Sequence, residues 1–130
     1  MNLEIGNTLT TTKLNKFELL TTFGSYRIFL LNQDPLFIIA VDPANLICGC
    51  FDFPETEEGI QLAHMYVLGH LKGQRIGTAI LTEAVNLWTV FILPSTNKND
   101  TYYFIGNGYG FIQSCFDRGV LTEPPFKRPE

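Results

Sequence analysis

Charge is scarce in this chain. Only 17% of its 130 residues are charged, and acidic residues outnumber basic ones, for a formal net charge of -4. That balance excludes a general nucleic-acid binder, because no basic surplus exists to neutralise phosphates. Long apolar runs are absent too. None reaches the ~18–20 residues a membrane span needs, so no membrane association is expected. The opening residues, MNLEIGNTLTTTK, lack a basic region followed by an apolar one, so no secretory leader is expected. Cysteine is limited to three residues, an odd number, and Cys48 and Cys50 alternate where a metal pair would use a wider spacing. The three are read as free thiols in a reducing, cytoplasmic compartment, with no metal. There are no repeats and no low-complexity tracts.

Apolar residues are plentiful. They make up 45% of the chain and include eleven Phe, enough for one domain with an aromatic-rich core. That domain is expected over residues 1–120, with a Pro-containing tail at 121–130. Leu3 to Thr10 reads as a first strand. Thr11-Thr12 can cap a helix running through Leu14, Phe17, Leu19, Leu20 and Phe23 to a stop at Gly24. Tyr26 to Leu31 is extended. Phe37 to Asp42 and Leu46 to Phe53 form a hairpin around Pro43-Ala44-Asn45, followed by the acidic loop Pro54 to Gly59. Ile60 to Val67 is a central strand. The segment from Ile76 to Trp88 puts Ile76, Ile80, Ala84 and Leu87 on one helical face. Val90 to Leu93 reads as a short strand and Ile112 to Phe116 as a final one. Three glycines make Ile105 to Phe111 a poor long helix. Basic residues cluster at Lys72 and Arg75 and again at Lys127 and Arg128.

The most informative stretch joins the central strand to the helix. The strand passes into a short loop holding Gly69, Gly73, Lys72 and Arg75, and the helix opens at Ile76. Free backbone N–H groups and the positive end of the helix dipole converge there on any anion. Glycine lets backbone approach a phosphate without a Cβ in the way.

Here the sequence resembles the acetyl-coenzyme-A-binding core of the GNAT (GCN5-related N-acetyltransferase) superfamily. In that family a strand ending in Tyr-Val or similar leads by a short turn to Arg/Gln-x-x-Gly-x-Gly/Ala and a helix. Met65-Tyr66-Val67 ends the strand, and Lys72-Gly73-Gln74-Arg75-Ile76-Gly77 fills the six motif positions, with Thr78 continuing the helix. Lys72 stands where Arg or Gln is usual and Arg75 where the first motif Gly is usual. Downstream, Asn99, Gly110 and Phe111 match the family's Asn-x-x-Ala-x-x-Phe-Tyr-x-x-x-Gly-Phe segment. Gly106 occupies the slot of its catalytic Tyr. The resemblance covers Phe37 to Phe111. It implies an α/β (α+β) fold: a mixed, largely antiparallel sheet flanked by helices. Only one clear helix precedes the hairpin, where the family usually fits two that shape the acceptor side.

The resemblance implies transfer of an acetyl group from acetyl-coenzyme A, as co-substrate, to a primary amine by direct attack. The acceptor is a small-molecule amine or a protein. Met65, Tyr66 and Val67 would offer backbone groups to the pantetheine arm. Lys72, Gly73, Gln74, Arg75, Ile76, Gly77 and Thr78 would hold the pyrophosphate, with Asn99 also on the coenzyme. Gln61 lies where some members carry a carboxylate base, and an amide cannot take a proton. Glu57, Glu58 and His64 are the nearby candidates for the base, and Tyr102, Tyr103 and Tyr109 for the acid. His64, Glu58 and Tyr109 form the candidate catalytic set. The second reading is a catalytically impaired module of the same fold, sensing coenzyme A or binding a protein partner. A third is a nucleotide- or phosphometabolite-binding domain that uses the same loop. A homodimer is compatible with each.

Overall fold

A computed structural model of the chain describes residues 3–88 and 91–121. Its centre is a five-stranded antiparallel sheet in the order β1-β2-β3-β4-β7. The strands are β1 (Glu18–Phe23), β2 (Tyr26–Leu31), β3 (Leu36–Val41), β4 (Ile47–Phe53) and β7 (His64–Val67). Between β4 and β7, β5 (Glu55–Thr56) and β6 (Gly59–Ile60) form a small hairpin. The helices are α1 (Thr11–Leu14), α2 (Ile76–Trp88) and α3 (Gly108–Asp117), and a 3-10 turn covers Gly69–Leu71. The architecture is therefore α+β with a largely antiparallel sheet, as the sequence led one to expect at that level.

The expected hairpin is present as β3–β4, with Leu36 opposite Phe53 and Ile39 opposite Cys50. Almost every residue of both strands is buried, because both sheet faces are covered. One face carries α2, whose Ile76, Ile80, Leu81 and Ala84 pack with Ile38, Ala40, Phe51 and Phe53. The other face is closed by the N-terminal segment, where Leu3, Leu9, Leu14 and Phe17 meet Phe29, Ile39, Val41 and Cys50. Helix α2 occupies the expected residues, but Leu87 lies off its buried face. Gly49 is what lets α2 sit so close. A Cβ there would stand 2.8 Å from Ile80 Cδ1 and 3.1 Å from Ile76 Cγ2.

Four sequence expectations are corrected. Residues 11–23 are not one helix: α1 ends at Leu14 and Glu18–Phe23 pairs with β2. Gly24, at a φ of 62°, turns the chain so that Phe23 faces Tyr26. Hairpin pairing there, with Thr21, Thr22 and Phe23 suited to a pleat, overrides the helical spacing of Leu14, Phe17 and Leu20. Leu3 to Thr10 makes only one bridge, Thr8 to Leu46. The central strand is broken: β6 ends at Ile60 and β7 begins at His64. Ile112 to Phe116 is helical, within α3. Its first glycine is used for contact: a Cβ on Gly108 would meet Met65 Cε at 3.2 Å and Phe104 at 3.3 Å, whereas one on Gly110 would meet nothing within 4 Å. The helix stops at Gly119, whose φ is 80°.

Val90 lies outside the described residues, and so does the tail beyond Leu121 with Lys127 and Arg128. Ile92 does form a parallel bridge to Gln61. Among the described residues all three cysteines are free and buried. No helix among them is long and apolar enough to cross a membrane. No group of three or more His, Cys, Asp or Glu among them could hold a metal ion.

Candidate functional site

The site begins where two strands part. Ile92 N–H donates to the Ile60 carbonyl at 2.8 Å, and Leu62 N–H to the Ile92 carbonyl at 2.9 Å. After this contact β7 has no partner on that side among the described residues. On its other side β7 is zipped to β4, with Gly49 opposite Val67 and Cys50 opposite Tyr66. Leu68 N–H reaches the Cys48 carbonyl at 2.9 Å, which fixes the phase of that ladder. Antiparallel bonding alternates along a strand. Tyr66 therefore bonds inward to β4, and Met65 and Val67 present their N–H and C=O to the open edge.

A cavity of about 740 Å³ runs along this edge, within the usual range for a small-molecule site. Its walls are Ala63 to Val67 on one side and Pro94 with Tyr103 to Gly108 on the other. One end is closed by Lys72, Gly73, Arg75, Ile76 and Gly77, with Phe51, Phe111 and Arg118 beneath. Its lining carries Lys72, Arg75 and Arg118 and, among the described residues, no Asp or Glu. The surface is apolar along the strand edge and cationic at the loop.

The loop has the form of an anion cradle. Gly73 has a φ of 93° and Arg75 a φ of 65°. The first bond of α2 runs from Ala79 N–H to the Arg75 carbonyl at 3.0 Å. The N–H groups of Ile76, Gly77 and Thr78 thus stand ahead of the first helical bond with no acceptor among the described residues. Gly77 has a packing role as well: a Cβ there would sit 3.2 Å from the Phe111 ring. Arg118 reaches over from α3 and donates to Thr78 Oγ1 at 3.2 Å.

Of the residues singled out from the sequence, His64, Met65, Tyr66, Val67, Lys72, Gly73, Arg75, Ile76 and Gly77 line this one cavity. Gln74 and Thr78 lie in the same loop and helix turn without lining it. Gln74 is exposed, with Tyr26 Oη 3.5 Å from its Oε1. Asn99 lies in an exposed turn, its N–H bonded to Asn97 Oδ1 at 2.9 Å. Glu57 and Glu58 sit at the tip of the β5–β6 hairpin, exposed and away from the cavity lining. Tyr109 packs edge-on against Phe104, with ring centroids 5.5 Å apart, and Tyr103 is the tyrosine of the candidate acids that lines the cavity. Gln61 is buried, and its amide nitrogen donates to the Leu62 carbonyl at 2.8 Å and lies 3.4 Å from that of Ile92. It fastens the point where the strands part. Gly106 has a φ of 58°, a backbone conformation that tyrosine rarely adopts.

His64 and Tyr66 project from the sheet face opposite α2, at the cavity wall. Their rings stack, with centroids 5.8 Å apart and planes within 9°. His64 Nδ1 is 3.0 Å from both carboxylate oxygens of Asp52, the residue opposite it on β4. Sequence reading missed Asp52 and Arg118. The hairpin register could have paired Asp52 with His64. Arg118 follows an element that read as a strand. The buried thiols stand apart from this chemistry. Burial, and then the charge of Asp52, push Cys50 up to about 12; burial raises Cys48 and Cys115 as well. Comparison with family models, with curated proteins and with solved structures gives no match.

Proposed function

We propose that the protein binds acetyl-coenzyme A in the cavity beside β7 and transfers the acetyl group to a primary amine by direct attack. One observation carries this reading. The open edge of Met65 and Val67 leads straight into a cationic loop at the start of α2, within a single cavity. An extended amide-bearing arm needs the first, since a strand edge offers alternating N–H and C=O groups. A pyrophosphate needs the second, with Lys72, Arg75, Arg118 and the free N–H groups of Ile76, Gly77 and Thr78 as its partners. Met65, Phe104 and Phe111 line the cavity with apolar surface along the path of the arm. Catalysis then rests on holding two substrates together and on removing a proton. This is the GNAT-like reading of the sequence, now resting on the cavity as well.

Calorimetry with acetyl-coenzyme A, followed by free-thiol release across an amine panel, tests it. Ligand at 100 times its Kd is expected to stabilise the fold by ~2.7 kcal/mol. No heat and no thermal shift at millimolar ligand would remove the reading. Binding without thiol release would favour the second reading, a coenzyme-A-sensing module. The spent amide of Gln61 and the left-handed turn at Gly106 are the observations on its side.

A further inference from the structure

We propose that His64 is the general base of this site and that Asp52 is the residue that orients it. The inference rests on the acyl-transfer reading above and adds the route of the proton. An ionised carboxylate only accepts hydrogen bonds. Both oxygens of Asp52 lie 3.0 Å from Nδ1 of His64, so Nδ1 carries the hydrogen. In the neutral ring the lone pair is then on Nε2. The pairing is built into the sheet. Asp52 and His64 are opposite residues of β4 and β7, so their side chains leave the same face side by side. Tyr66, two residues on, stacks on the imidazole and limits its rotation.

The position suits the role. The cationic loop lies with α2 on one face of the sheet, and His64 lies on the other. A substrate arm lying along the edge of β7 connects them over ~10 Å of strand. Its thioester then meets an amine arriving on the His64 face. The amine nitrogen attacks the carbonyl carbon, a C–N bond forms and the C–S bond breaks. The sulfur leaves as thiolate and takes a proton from water. The proton released by nitrogen goes to His64 Nε2, and Asp52 stabilises the resulting imidazolium before the proton passes to solvent.

The first measurement needs no turnover. Long-range ¹H–¹⁵N correlation spectra of the wild-type protein, with His70→Gln to assign the rings, should report neutral His64 as the Nδ1–H tautomer. In Asp52→Asn it should shift toward Nε2–H. An Nε2–H tautomer in the wild type overturns the proposal. In thiol-release kinetics, His64→Ala should lower kcat by about 10²-fold or more, with free imidazole restoring part of it. Acetyl-coenzyme A affinity should stay within about threefold, as expected when only proton transfer is lost. Asp52→Asn should lower kcat by about tenfold or more with little change in KM, and Asp52→Glu should recover part of the loss. A His64→Ala rate within about threefold of wild type, with acetyl-coenzyme A still bound, would sink the base assignment alone. Absence of wild-type thiol release with every amine would overturn acyl transfer and the base role together. The tautomer would still decide whether Asp52 orients His64.

Discussion

β4 and β7 are neighbours in one sheet, yet they do opposite things. β4 is paired along both edges and covered on both faces, and its residues are buried almost without exception. β7 keeps one edge open, and its side chains alternate between exposed and half-buried. The glycines follow the same division. Gly49 in β4 is closed in by Ile80 and Ile76, whereas a Cβ on Gly73 would meet nothing within 4 Å. One glycine makes room for a helix; the other makes a left-handed bend in the loop that lines the cavity. Burial is concentrated in β4 and its partners, and the cavity runs along the free edge of β7.

That division breaks most visibly by deleting core volume. Phe53 is fully buried against Trp88 at 4.8 Å and Phe91 at 5.7 Å between ring centroids. Phe53→Ala should cost about 3–5 kcal/mol in urea denaturation. The tautomer of His64 should be retained in whatever fraction stays folded. A loss under about 1 kcal/mol would mean that β4 is not the anchor.

Cys50 sharpens the contrast by pH. Its thiol is pushed up to about 12, by burial first and Asp52 second, from an ordinary value of 9.0. A raised folded value means that the folded state holds the proton more tightly. Below pH ~9 both states are protonated and the full contribution is present. As pH rises from about 9 to about 12 the unfolded chain ionises first and stability falls, by up to about 4 kcal/mol. Cys50→Ala should remove this component and flatten the alkaline slope. Equal slopes in the two proteins would show that Cys50 is not the group responsible. Native protein should also resist thiol alkylation at pH 8 until it unfolds.

Legibility in the sequence followed the same line. Period and turn chemistry located the β3–β4 hairpin and α2, because their residues are buried by local pattern. They failed at β1, where Glu18–Phe23 carries apolar residues at helical spacing yet pairs with β2. They failed again at α3, whose Gly108 and Gly110 argue against a helix until Met65 and Phe104 are seen pressing on Gly108. Most of the cavity loop was legible, since Lys72 to Gly77 are contiguous. Asp52 and Arg118 come from other elements, and only tertiary pairing brings them to the site.

Gly49→Ala carries the next largest effect. The added Cβ would lie 2.8 Å from Ile80 Cδ1, the end of a side chain that is itself fully buried. Overpacking of this kind costs about 1–3 kcal/mol. Gly73→Ala meets no atom within 4 Å, so its penalty comes only from a φ of 93°. It should therefore shift acetyl-coenzyme A affinity more than the packing of α2. Similar near-ultraviolet spectra for wild type and Gly49→Ala, with equal stability, would mean that the helix has slack against β4.

The smallest change in stability, and the sharpest contrast, belongs to Arg75. Its φ of 65° lies in the left-handed region, at a site that also lines the cavity. A non-Gly residue there is strained by about 1–2 kcal/mol, and strain of this kind persists where the surrounding structure over-determines it. The side chain makes no ion pair among the described residues. Its guanidinium is therefore available to an anion at the loop. Arg75→Gly should relax the backbone and raise stability by up to about 1 kcal/mol. The same change should weaken acetyl-coenzyme A binding by about tenfold or more, since a hydrogen bond to a charged group contributes roughly 1.5–3 kcal/mol. The salt dependence of binding should become shallower with one cation gone. Opposite signs for stability and affinity are the signature of a residue kept for its ligand. If Arg75→Gly bound more tightly, Arg75 would be an obstruction in the cavity, and the sensing module would become the better reading of this site.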